Sequence, residues 1–437
     1  MKTARYTVYE LLMRAENGAY SNLSLSGALS QGNISSENKR LISRLFYGVI
    51  ERKLTLDHMI SSYSKIPAGR LDIEVLTVLR MGVYQLYFCD GIPESAAVNE
   101  SVNIIKQTRK AGTAGFVNGV LRNMIRNGGR YELPKDKLSV LSVKYSCGKD
   151  VLSILLDSCG EENTVSLLEA SFLPGSITAR VNTLKTDAAS LISTLKENGV
   201  NSSITALDLL DGRSIDINSP VSFDETDAFK NGLFHVQDIS SQLCCLAADP
   251  KPDSTVIDVC AAPGGKSFTI AEMMKGSGRV FSCDLHKKRV GLIQKGAERL
   301  GLSNITALCS DGRIYDPKLP EADLVLCDVP CSGLGVIKDK PEIKYKDISD
   351  FSELPRIQYD ILSNASKYVK SGGVLVYSTC TVNSAENSGV TDKFLSENRD
   401  FQCDEKLPNV GIARGSYTIY PKDHGSSGFY ICRMIKK

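Results

Sequence analysis

The chain has 437 residues and a formal net charge of +2, with 42% hydrophobic and 23% charged residues. This length is enough for two or three domains, and the near-neutral charge neither requires nor excludes a nucleic-acid partner. The 13 cysteines include no C-x-x-C pair and the 4 histidines are not spaced as ligand pairs. We therefore expect no metal and no disulfide framework. No stretch approaches the ~20 apolar residues of a membrane span, and the N-terminus lacks a signal-peptide pattern, so we expect a reduced, cytoplasmic protein without a membrane partner.

Apolar residues at helical spacing predict an all-helical first domain over residues 1–135. The positions of Val8, Leu11 and Leu12 are typical of an amphipathic helix. The stretch DIEVLTVLRMGVYQLYF is apolar on almost every face, which predicts a buried helix. Ser95 is placed to cap the next helix, and a proline closes the helical pattern before residue 135.

The pattern changes over residues 138–235, which we interpret as a small α+β domain. The stretch SITARVNTLK alternates and is rich in β-branched residues, so it predicts a strand. A helix over AASLISTLKENGV stops at Gly199, and SSITALDLLDGRSIDI predicts further strands joined by turns.

Residues 236–437 alternate between apolar strands and helices. Such an alternation predicts a parallel, doubly wound sheet covered on both faces, with ligands bound at the carboxyl ends of its strands. Two final stretches, SYTIYP and GFYICRMI, are candidates for antiparallel strands. The five predicted parallel strands are STVIDVC, GRVFSCD, NITALCSD, ADLVLCDVP and VLVYSTC.

The first of these strands runs into the turn DVCAAPGGKS. Gly264 and Gly265 let a ligand approach the backbone, and the following helix offers free N–H groups. The phosphate-loop pattern fails because Cys260 stands where it requires a glycine, and the dinucleotide pattern G-x-G-x-x-G fails as well. The turn therefore favours a nucleoside ligand with little or no phosphate, although glycines alone also suit an ordinary strand–helix turn.

Aspartates stand at the ends of four successive strands. A single aspartate there means little, because this residue favours strand ends and turns. Four together predict an acidic crevice that disfavours phosphate and suits a ribose and a sulfonium, so we expect S-adenosylmethionine (SAM) as cofactor. An acid after the second strand is placed to accept hydrogen bonds from ribose hydroxyls. The four are Asp258, Asp284, Asp311 and Asp328.

Two thiols follow neighbouring strand candidates, Cys331 in DVPCSG and Cys380 in YSTCT. If the strands are adjacent, their ends lie roughly 5 Å apart, and both thiols face one pocket. Addition of a thiolate to C6 of a pyrimidine makes C5 able to attack a methyl sulfonium. Asp328 is placed to support protonation of the ring at N3, and Lys266 to orient the pair. Spacing leaves open which thiol attacks.

Several motifs resemble one family, the cytosine-5 RNA methyltransferases of the RsmB/Sun (Fmu) type. DVCAAPGGKS, DVPCSGLG and YSTCTVNSAEN match its catalytic domain, and AAVNESVNIIK and FVNGVLRN are similar to its NusB-like RNA-binding domain. ARVNTLK and FHVQDISSQL match its middle region. The resemblance implies three domains: 1–135 NusB-like and all-α, 138–235 small α+β and RRM-like, and 236–437 an α/β Rossmann-like SAM-dependent methyltransferase. It also implies methylation of small-subunit (16S) ribosomal RNA.

The resemblance implies a role for each site residue. Cys380 is implied as the nucleophile and Cys331 as the residue that assists product release. Asp284 is expected at the ribose, Asp311 at the adenine, and Asp328 near the methyl group and the target base. The turn expected to wrap the cofactor comprises Cys260, Ala261, Ala262, Pro263, Gly264, Gly265 and Lys266.

The segment PEIKYK, Pro341 to Lys346, resembles a lysine-bearing loop near the substrate, with Tyr345 where a tryptophan is usual. A basic segment in the first domain is interpreted as a phosphate-contacting stripe, against the alternative of a solvated helix face. Its residues are Lys106, Arg109, Lys110, Arg122, Arg126, Arg130, Lys135 and Lys137.

Two other functions remain open from the residues alone. One is a methyltransferase acting on an exocyclic amine, in which DVPC only positions the amino group and the cysteines are dispensable. The other is a non-catalytic, antitermination-like RNA-binding factor, in which the α/β part is a scaffold that does not bind SAM.

Overall fold

The structure, a computed structural model, describes residues 3–16, 25, 27–29, 34–173, 177–218 and 223–437. The chain forms two compact units. The first comprises Met1–Ser153 and Lys340–Lys346, and the second comprises Ile154–Asp339 and Asp347–Lys437. Within the described ranges, the helices are all too short or too polar to cross a membrane.

The first unit is helical, as predicted, and it is built around one buried helix. This central helix, α4, runs over the apolar stretch singled out in the sequence, and its residues from Val75 to Gln85 are all buried. Helices α1, α2, α3, α5 and α6 all pack against it. The helices are α1 (Ala4–Glu16), α2 (Ser36–Glu51), α3 (Lys53–Tyr63), α4 (Ile73–Tyr87), α5 (Glu94–Lys106), α6 (Ala114–Arg126) and α7 (Lys137–Tyr145).

The start of α5 corrects one sequence prediction. Ser95 does not cap this helix, because the helix already begins at Glu94 and Pro93 is the residue before it. Pro93 has φ −61° and ψ 139°, and no side chain makes a capping hydrogen bond there. The fixed φ of proline suits a helix start, so it sets the boundary ahead of the serine.

Helix α8 (Lys149–Ala170) crosses from the first unit to the second, and it is interrupted at Gly160. Gly160 has φ 71° and ψ 170°, a conformation that glycine adopts without the clash of a Cβ atom. The helical stretch therefore consists of two segments that meet at Gly160.

A small antiparallel sheet opens the second unit. Its strand order is β2-β3-β1-β4, and α9 (Ala188–Glu197) and the short α10 (Asp227–Lys230) accompany it. Val181, Leu191, Ile215 and Phe234 lie in its core. The sequence did not predict β4, which has only three residues. The strands are β1 (Ile177–Val181), β2 (Ser202–Ile204), β3 (Ser214–Ile217) and β4 (Phe234–Val236).

The larger sheet has the order β10-β12-β9-β8-β5-β6-β7, and β11 pairs with β12. The five predicted strands, β5 to β9, are mutually parallel, and β12 runs antiparallel to β9. The strands are β5 (Thr255–Asp258), β6 (Arg279–Asp284), β7 (Ile305–Cys309), β8 (Ala322–Asp328), β9 (Val369–Thr379), β10 (Phe401–Cys403), β11 (Ser416–Ile419) and β12 (Phe429–Lys436). The helices are α11 (Ile239–Ala248), α12 (Gly265–Met273), α13 (Lys287–Leu300), α14 (Leu354–Ala365), α15 (Ser388–Glu397) and α16 (Pro421–His424).

The strand order reverses at the β5–β8 pair. From β5 the chain builds outward through β6 and β7, and it then returns to place β8 on the other side of β5, followed by β9. Ligands of open α/β sheets bind beyond the carboxyl ends of the strands at such a reversal. The crevice that this rule indicates lies between the turn after Asp258 and the loop after Asp328.

The sequence-based division into 1–135, 138–235 and 236–437 remains a proposal. The structure groups the small sheet and the large sheet in one compact unit, and it assigns Lys340–Lys346 to the helical unit.

Candidate active site

The two cysteines singled out in the sequence lie in contact. Strands β8 and β9 are paired in parallel with Asp328 opposite Ser378, so the loops that follow them start side by side. The Sγ atoms of Cys331 and Cys380 are 3.2 Å apart, and both side chains are half-buried. The structure therefore brings both thiols to one edge of the sheet.

Two glycines let these loops approach each other closely. The Gly335 N–H donates to the Cys380 carbonyl at 3.0 Å, and the Gly428 N–H donates to the Gly335 carbonyl at 2.9 Å. A Cβ atom on Gly335 would overlap the Gly428 carbonyl and lie 2.9 Å from the Cys380 carbonyl oxygen. Only a residue without a side chain fits at position 335, so the sequence there is dictated by the contact between the loops.

An ion pair stands at the end of β8. Lys266 Nζ lies 2.7 Å from Asp328 Oδ2 and 3.3 Å from Ser241 Oγ, while Ser378 Oγ donates to Asp328 Oδ1 at 2.8 Å. Burial lowers the pKa of Lys266, but the Asp328 carboxylate outweighs it and holds this pKa above its usual value. Lys266 is therefore a fixed cation that holds the Asp328 carboxylate beside the thiols.

The glycine-rich turn has the geometry expected of a ligand-binding loop. Gly264 has φ 116°, and a Cβ atom there would overlap the Phe268 ring. A Cβ on Gly265 would make only an ordinary contact with Gln237 at 3.8 Å, so packing alone does not require a glycine at the start of α12. The first N–H groups of a helix have no acceptor within the helix and can bind one from outside.

Two other residues of this turn, Ala261 and Ala262, hold it in place through hydrogen bonds of their backbone groups. The Ala261 N–H donates to the Cys283 carbonyl at 2.8 Å, and the Ala262 carbonyl, next to Pro263, accepts from Arg289 Nη2 at 2.6 Å. Burial raises the pKa of the Cys260 thiol well above its usual value, which suits a packed side chain and not a reactive thiolate.

Asp258 is buried beneath this turn. Its Oδ2 accepts from Ser267 Oγ at 2.7 Å, and Ser267 Oγ accepts in turn from Ser282 Oγ at 2.8 Å. Its Oδ1 is buried and has no partner among the described protein atoms. Burial raises the pKa of Asp258 to about 7.

Asp284 and Asp311 stand at the ends of β6 and β7, where the sequence predicted them, and each already has a cationic partner. Asp284 Oδ2 lies 3.2 Å from Arg289 Nη1, and its Oδ1 accepts from the His286 N–H at 3.0 Å. Asp311 forms a two-point contact with Arg313 through Nε at 3.0 Å and Nη2 at 2.7 Å. Hydrogen bonds from Arg313 lower the pKa of Asp311.

Lys344 corrects the expectation of a substrate-facing loop. Its side chain is fully buried in the first unit, where Nζ donates to the carbonyls of Glu51 at 2.8 Å and Tyr145 at 3.2 Å. The Tyr345 hydroxyl also donates to the Glu51 carbonyl, at 2.9 Å. The apolar Ile343 and the aromatic Tyr345 draw the segment into a helical core, and the lysine is buried with them.

Sequence reasoning missed three polar residues that shape this site. Ser241 and Ser378 contact the ion pair, and Glu386 accepts hydrogen bonds from the loop that carries Cys331. Ser378 stands two residues before Cys380, so its strand position was a usable signal. Ser241 and Glu386 are distant in sequence from the residues they contact. Across the described ranges, side chains of the metal-binding type do not form a cluster that could hold an ion.

The residues present fit SAM. The first N–H groups of α12, the buried and unpartnered Asp258 Oδ1 and the carboxylate of Asp284 together suit a nucleoside with a positively charged sulfonium. The fold and this crevice define a SAM-dependent methyltransferase joined to a NusB-type helical unit.

Comparison with known proteins identifies the family. The family described as 16S rRNA methyltransferase RsmB/F matches residues 245–435, and the NusB family matches residues 2–126. The probable ribosomal RNA small subunit methyltransferase B of Bacillus subtilis (strain 168) is 37% identical and covers 100% of this chain and 99% of its own. The protein of the same name from Synechocystis sp. is 32% identical over 100% of both chains. The solved structure titled PH0851 has a TM-score of 0.82 and 25% identity, over 100% of this chain and 99% of that one.

The chain therefore belongs to the RsmB/F family of 16S rRNA methyltransferases. SAM is its methyl donor.

Proposed function

We propose that this enzyme transfers a methyl group from SAM to C5 of a cytosine in 16S ribosomal RNA, through a covalent adduct between Cys380 and C6. The observation that carries the proposal is the 3.2 Å contact of the Cys331 and Cys380 sulfur atoms beside the Lys266–Asp328 ion pair. C5 of a pyrimidine is a weak nucleophile until a thiolate adds to C6. When bound, SAM supplies a methyl group on a positively charged sulfur.

The family resemblance selects Cys380 as the thiol that bonds to C6, and the surroundings of Cys331 support this assignment. The hydrogen bond with Cys380 and burial raise the pKa of Cys331 well above its usual value, and the nearby Glu386 carboxylate raises it further. A thiol that is hard to ionise is a poor nucleophile. Cys331 assists release, in which the proton on C5 is lost, the C5–C6 double bond re-forms and the Cys380–C6 bond breaks.

Asp328 is the group we assign to the polar edge of the target cytosine. Lys266 and Ser378 each hold one of its carboxylate oxygens, so the side chain is fixed at the end of β8. A carboxylate held at a cytosine edge accepts a hydrogen bond from its amino group and favours protonation at N3. Protonation of the ring draws electrons from C6 and eases attack by the thiolate.

The cofactor contacts follow from the strand ends. Residues Cys260 to Lys266 surround the methionine and adenosine parts, Asp284 holds the ribose and Asp311 the adenine. Asp284 is almost fully buried, whereas Asp311 shares its carboxylate with an exposed arginine, Arg313. Binding of the adenine at Asp311 therefore requires Arg313 to give up at least one of its two hydrogen bonds to this carboxylate.

The first unit supplies a basic surface for the RNA. Arg126 and Arg130 line a concavity of about 660 Å³ together with Tyr63, Asn127 and Gly128. Arginines and an aromatic side chain around an open concavity suit phosphates and an unstacked base. Lys110, another residue of the basic segment, is partly exposed and pairs with Asp72 at 2.8 Å, so its charge is partly neutralised.

Identification of the methylated base tests the proposal. The protein is incubated with 16S rRNA and SAM, the RNA is digested to nucleosides, and the products are separated by chromatography. We expect 5-methylcytidine. Methylation on the cytosine amino group, or transfer of no methyl group at all, contradicts the proposal.

A further inference from the structure

Glu386 is a fully buried carboxylate in the loop between Cys380 and α15. Three N–H groups donate to it: the Ser332 backbone at 2.8 Å and Gln358 Nε2 at 2.9 Å, both to Oε2, and Asn383 Nδ2 at 3.0 Å to Oε1. All three donors are neutral amides. Burying an acidic group whose hydrogen-bond donors are all neutral costs folding free energy, so such a residue points to a specific role.

These hydrogen bonds hold the backbone on both sides of Cys331. Ser332 is the residue after Cys331, and its N–H donates directly to Glu386. Pro330 is the residue before it, and its carbonyl accepts at 2.9 Å from the same Gln358 amide that donates to Glu386. The Cys331 loop is therefore held at two points around one carboxylate oxygen.

The same loop is tied to the strand that leads to Cys380. The Tyr377 hydroxyl donates to the Glu386 carbonyl at 2.6 Å, so the backbone of Glu386 is fixed to β9. Ser332 and Thr381, the residues after the two cysteines, join their hydroxyls at 2.8 Å. Glu386 thus stands at the centre of a network that determines where each thiol lies.

We propose that Glu386 is the positioning residue of the thiol pair, whose buried carboxylate holds the Cys331 loop against the Cys380 loop. The proposal rests on the proposed function in treating the two cysteines as the reacting pair. Glu386 acts through Ser332, Gln358 and the two loops that carry the cysteines.

The rate of disulfide formation between Cys331 and Cys380 reports how closely the two thiols are held together. The assay needs neither RNA nor methyl transfer. Diamide oxidises two thiols to one disulfide and is itself reduced to the hydrazine by the two electrons and two protons released. The full-length protein is treated with limiting diamide, digested under non-reducing conditions, and the Cys331–Cys380 peptide is followed by mass spectrometry. Sulfur atoms 3.2 Å apart need little movement to reach a disulfide bond of about 2 Å.

The variants Glu386→Ala and Glu386→Gln form a graded pair. Alanine removes every acceptor, whereas glutamine keeps one oxygen for Ser332 and Gln358, and the Asn383 amide can turn to meet its new NH₂ group. We expect Glu386→Ala to form the disulfide about tenfold to a hundredfold more slowly than the wild type, and Glu386→Gln to restore the rate to within about threefold. Equal rates in the wild type and Glu386→Ala overturn the proposal.

A second cysteine pair in the same molecule is the matched reference. Cys403 and Cys432 hydrogen-bond to each other on β10 and β12, and this bond lowers the pKa of Cys403 to about 7. Their disulfide should form at the same rate in all variants. A parallel slowing of both pairs means that the substitution has loosened the whole unit, which contradicts a positioning role for Glu386. Should Glu386→Ala fail to fold, Gln358→Met, which cuts the link to Pro330, takes its place with the same expected slowing.

Kinetics separate this inference from the proposed function. If both hold, Glu386→Ala lowers kcat for cytosine methylation and leaves SAM affinity unchanged, and Glu397→Gln on α15 behaves as the wild type. Suppose that the product is not 5-methylcytidine, but that disulfide formation is ranked as expected, with the wild type and Glu386→Gln faster than Glu386→Ala. The proposed function then fails and the positioning role stands. If 5-methylcytidine forms and the ranking is absent, only the positioning role fails.

Discussion

At the scale of single residues, the Lys266–Asp328 pair sets the electrostatics of the site. The side chains are 11% and 29% exposed, so their charges are much less screened than those of a surface pair. Removing one partner leaves the other charge poorly solvated, which is the main cost of breaking a buried pair. The pair therefore holds both side chains in one place at the end of β8.

A double-mutant cycle on Lys266→Met and Asp328→Asn measures this interaction. We expect a coupling in the free energy of unfolding of about 1–3 kcal/mol, because the two charges are close and mostly withdrawn from water. Both single variants should also reduce methyl transfer, since each removes or frees the carboxylate that we propose meets the target cytosine. Urea unfolding of the four proteins gives the coupling.

The matched control is the Lys422–Glu162 pair, which has the same 2.7 Å separation but side chains 41% and 85% exposed. Its cycle should give about 1 kcal/mol or less. Equal coupling energies for the two pairs would show that burial does not strengthen the interaction between Lys266 and Asp328.

Single residues also show which parts of the candidate site could be predicted from the sequence and which could not. The positions of Asp328 and Cys380 were predictable because each stands at the end of a predicted parallel strand, and the end of a buried parallel strand is where ligands bind. Glu386 was not, because its partners Ser332 and Gln358 are 54 and 28 positions away in sequence. Lys344 was misplaced for a related reason: its neighbours Ile343 and Tyr345 decide its burial, and which core they enter depends on the fold.

At the scale of elements, the contact between the thiols depends on how closely three loops pack. Pairing of β8 with β9 brings Cys331 and Cys380 to one edge, and the start of β12 approaches through Gly428. The parallel direction of β5 to β9 could be expected from the alternation of strands and helices, whereas their order in the sheet was left open. The approach of Gly428 to Gly335 could not be expected, because it depends on an antiparallel strand whose register no local pattern determines.

Gly335→Ala tests this close packing. The new methyl group would overlap the Gly428 carbonyl, so one of the two loops must move. We expect a loss of about 1–3 kcal/mol in the free energy of unfolding and a fall in kcat with little change in SAM affinity. Thermal unfolding and initial rates of methyl transfer provide the measurement.

Gly291→Ala is the control for that substitution. Gly291 lies inside α13, and a Cβ atom there meets nothing within 4 Å. Alanine is the better helix former, so this variant should gain about 0.5–1 kcal/mol. The account of Gly335 is wrong if both variants shift stability in the same direction by similar amounts.

At the scale of the whole molecule, the chain combines a catalytic unit with a helical unit that carries exposed arginines. The near-neutral net charge of +2 concealed this surface, because the basic residues are concentrated in one segment. The sequence indicated the segment but not which of its members are available. The structure distinguishes Lys110, which pairs with Asp72, from Arg126 and Arg130, which line a concavity.

The double variant Arg126→Ala/Arg130→Ala tests the contribution of that concavity. Each lost phosphate contact should lower the slope of log affinity against log salt by about 1. We therefore expect weaker binding of 16S rRNA and a higher KM for the RNA, with kcat at saturating RNA unchanged. Filter binding at several salt concentrations supplies the slopes, and Lys251→Ala, an exposed lysine of the other unit, is the control. An unchanged slope in the double variant excludes this surface from RNA binding.

The central claim is that Cys380 bonds to a cytosine and that Cys331 is needed to release it. Cys331→Ala, Cys380→Ala and the wild type are each incubated with 16S rRNA and SAM and separated on a denaturing gel. We predict a slowly migrating protein–RNA adduct with Cys331→Ala and none with Cys380→Ala. An adduct that forms with Cys380→Ala, or with neither variant, would contradict the account.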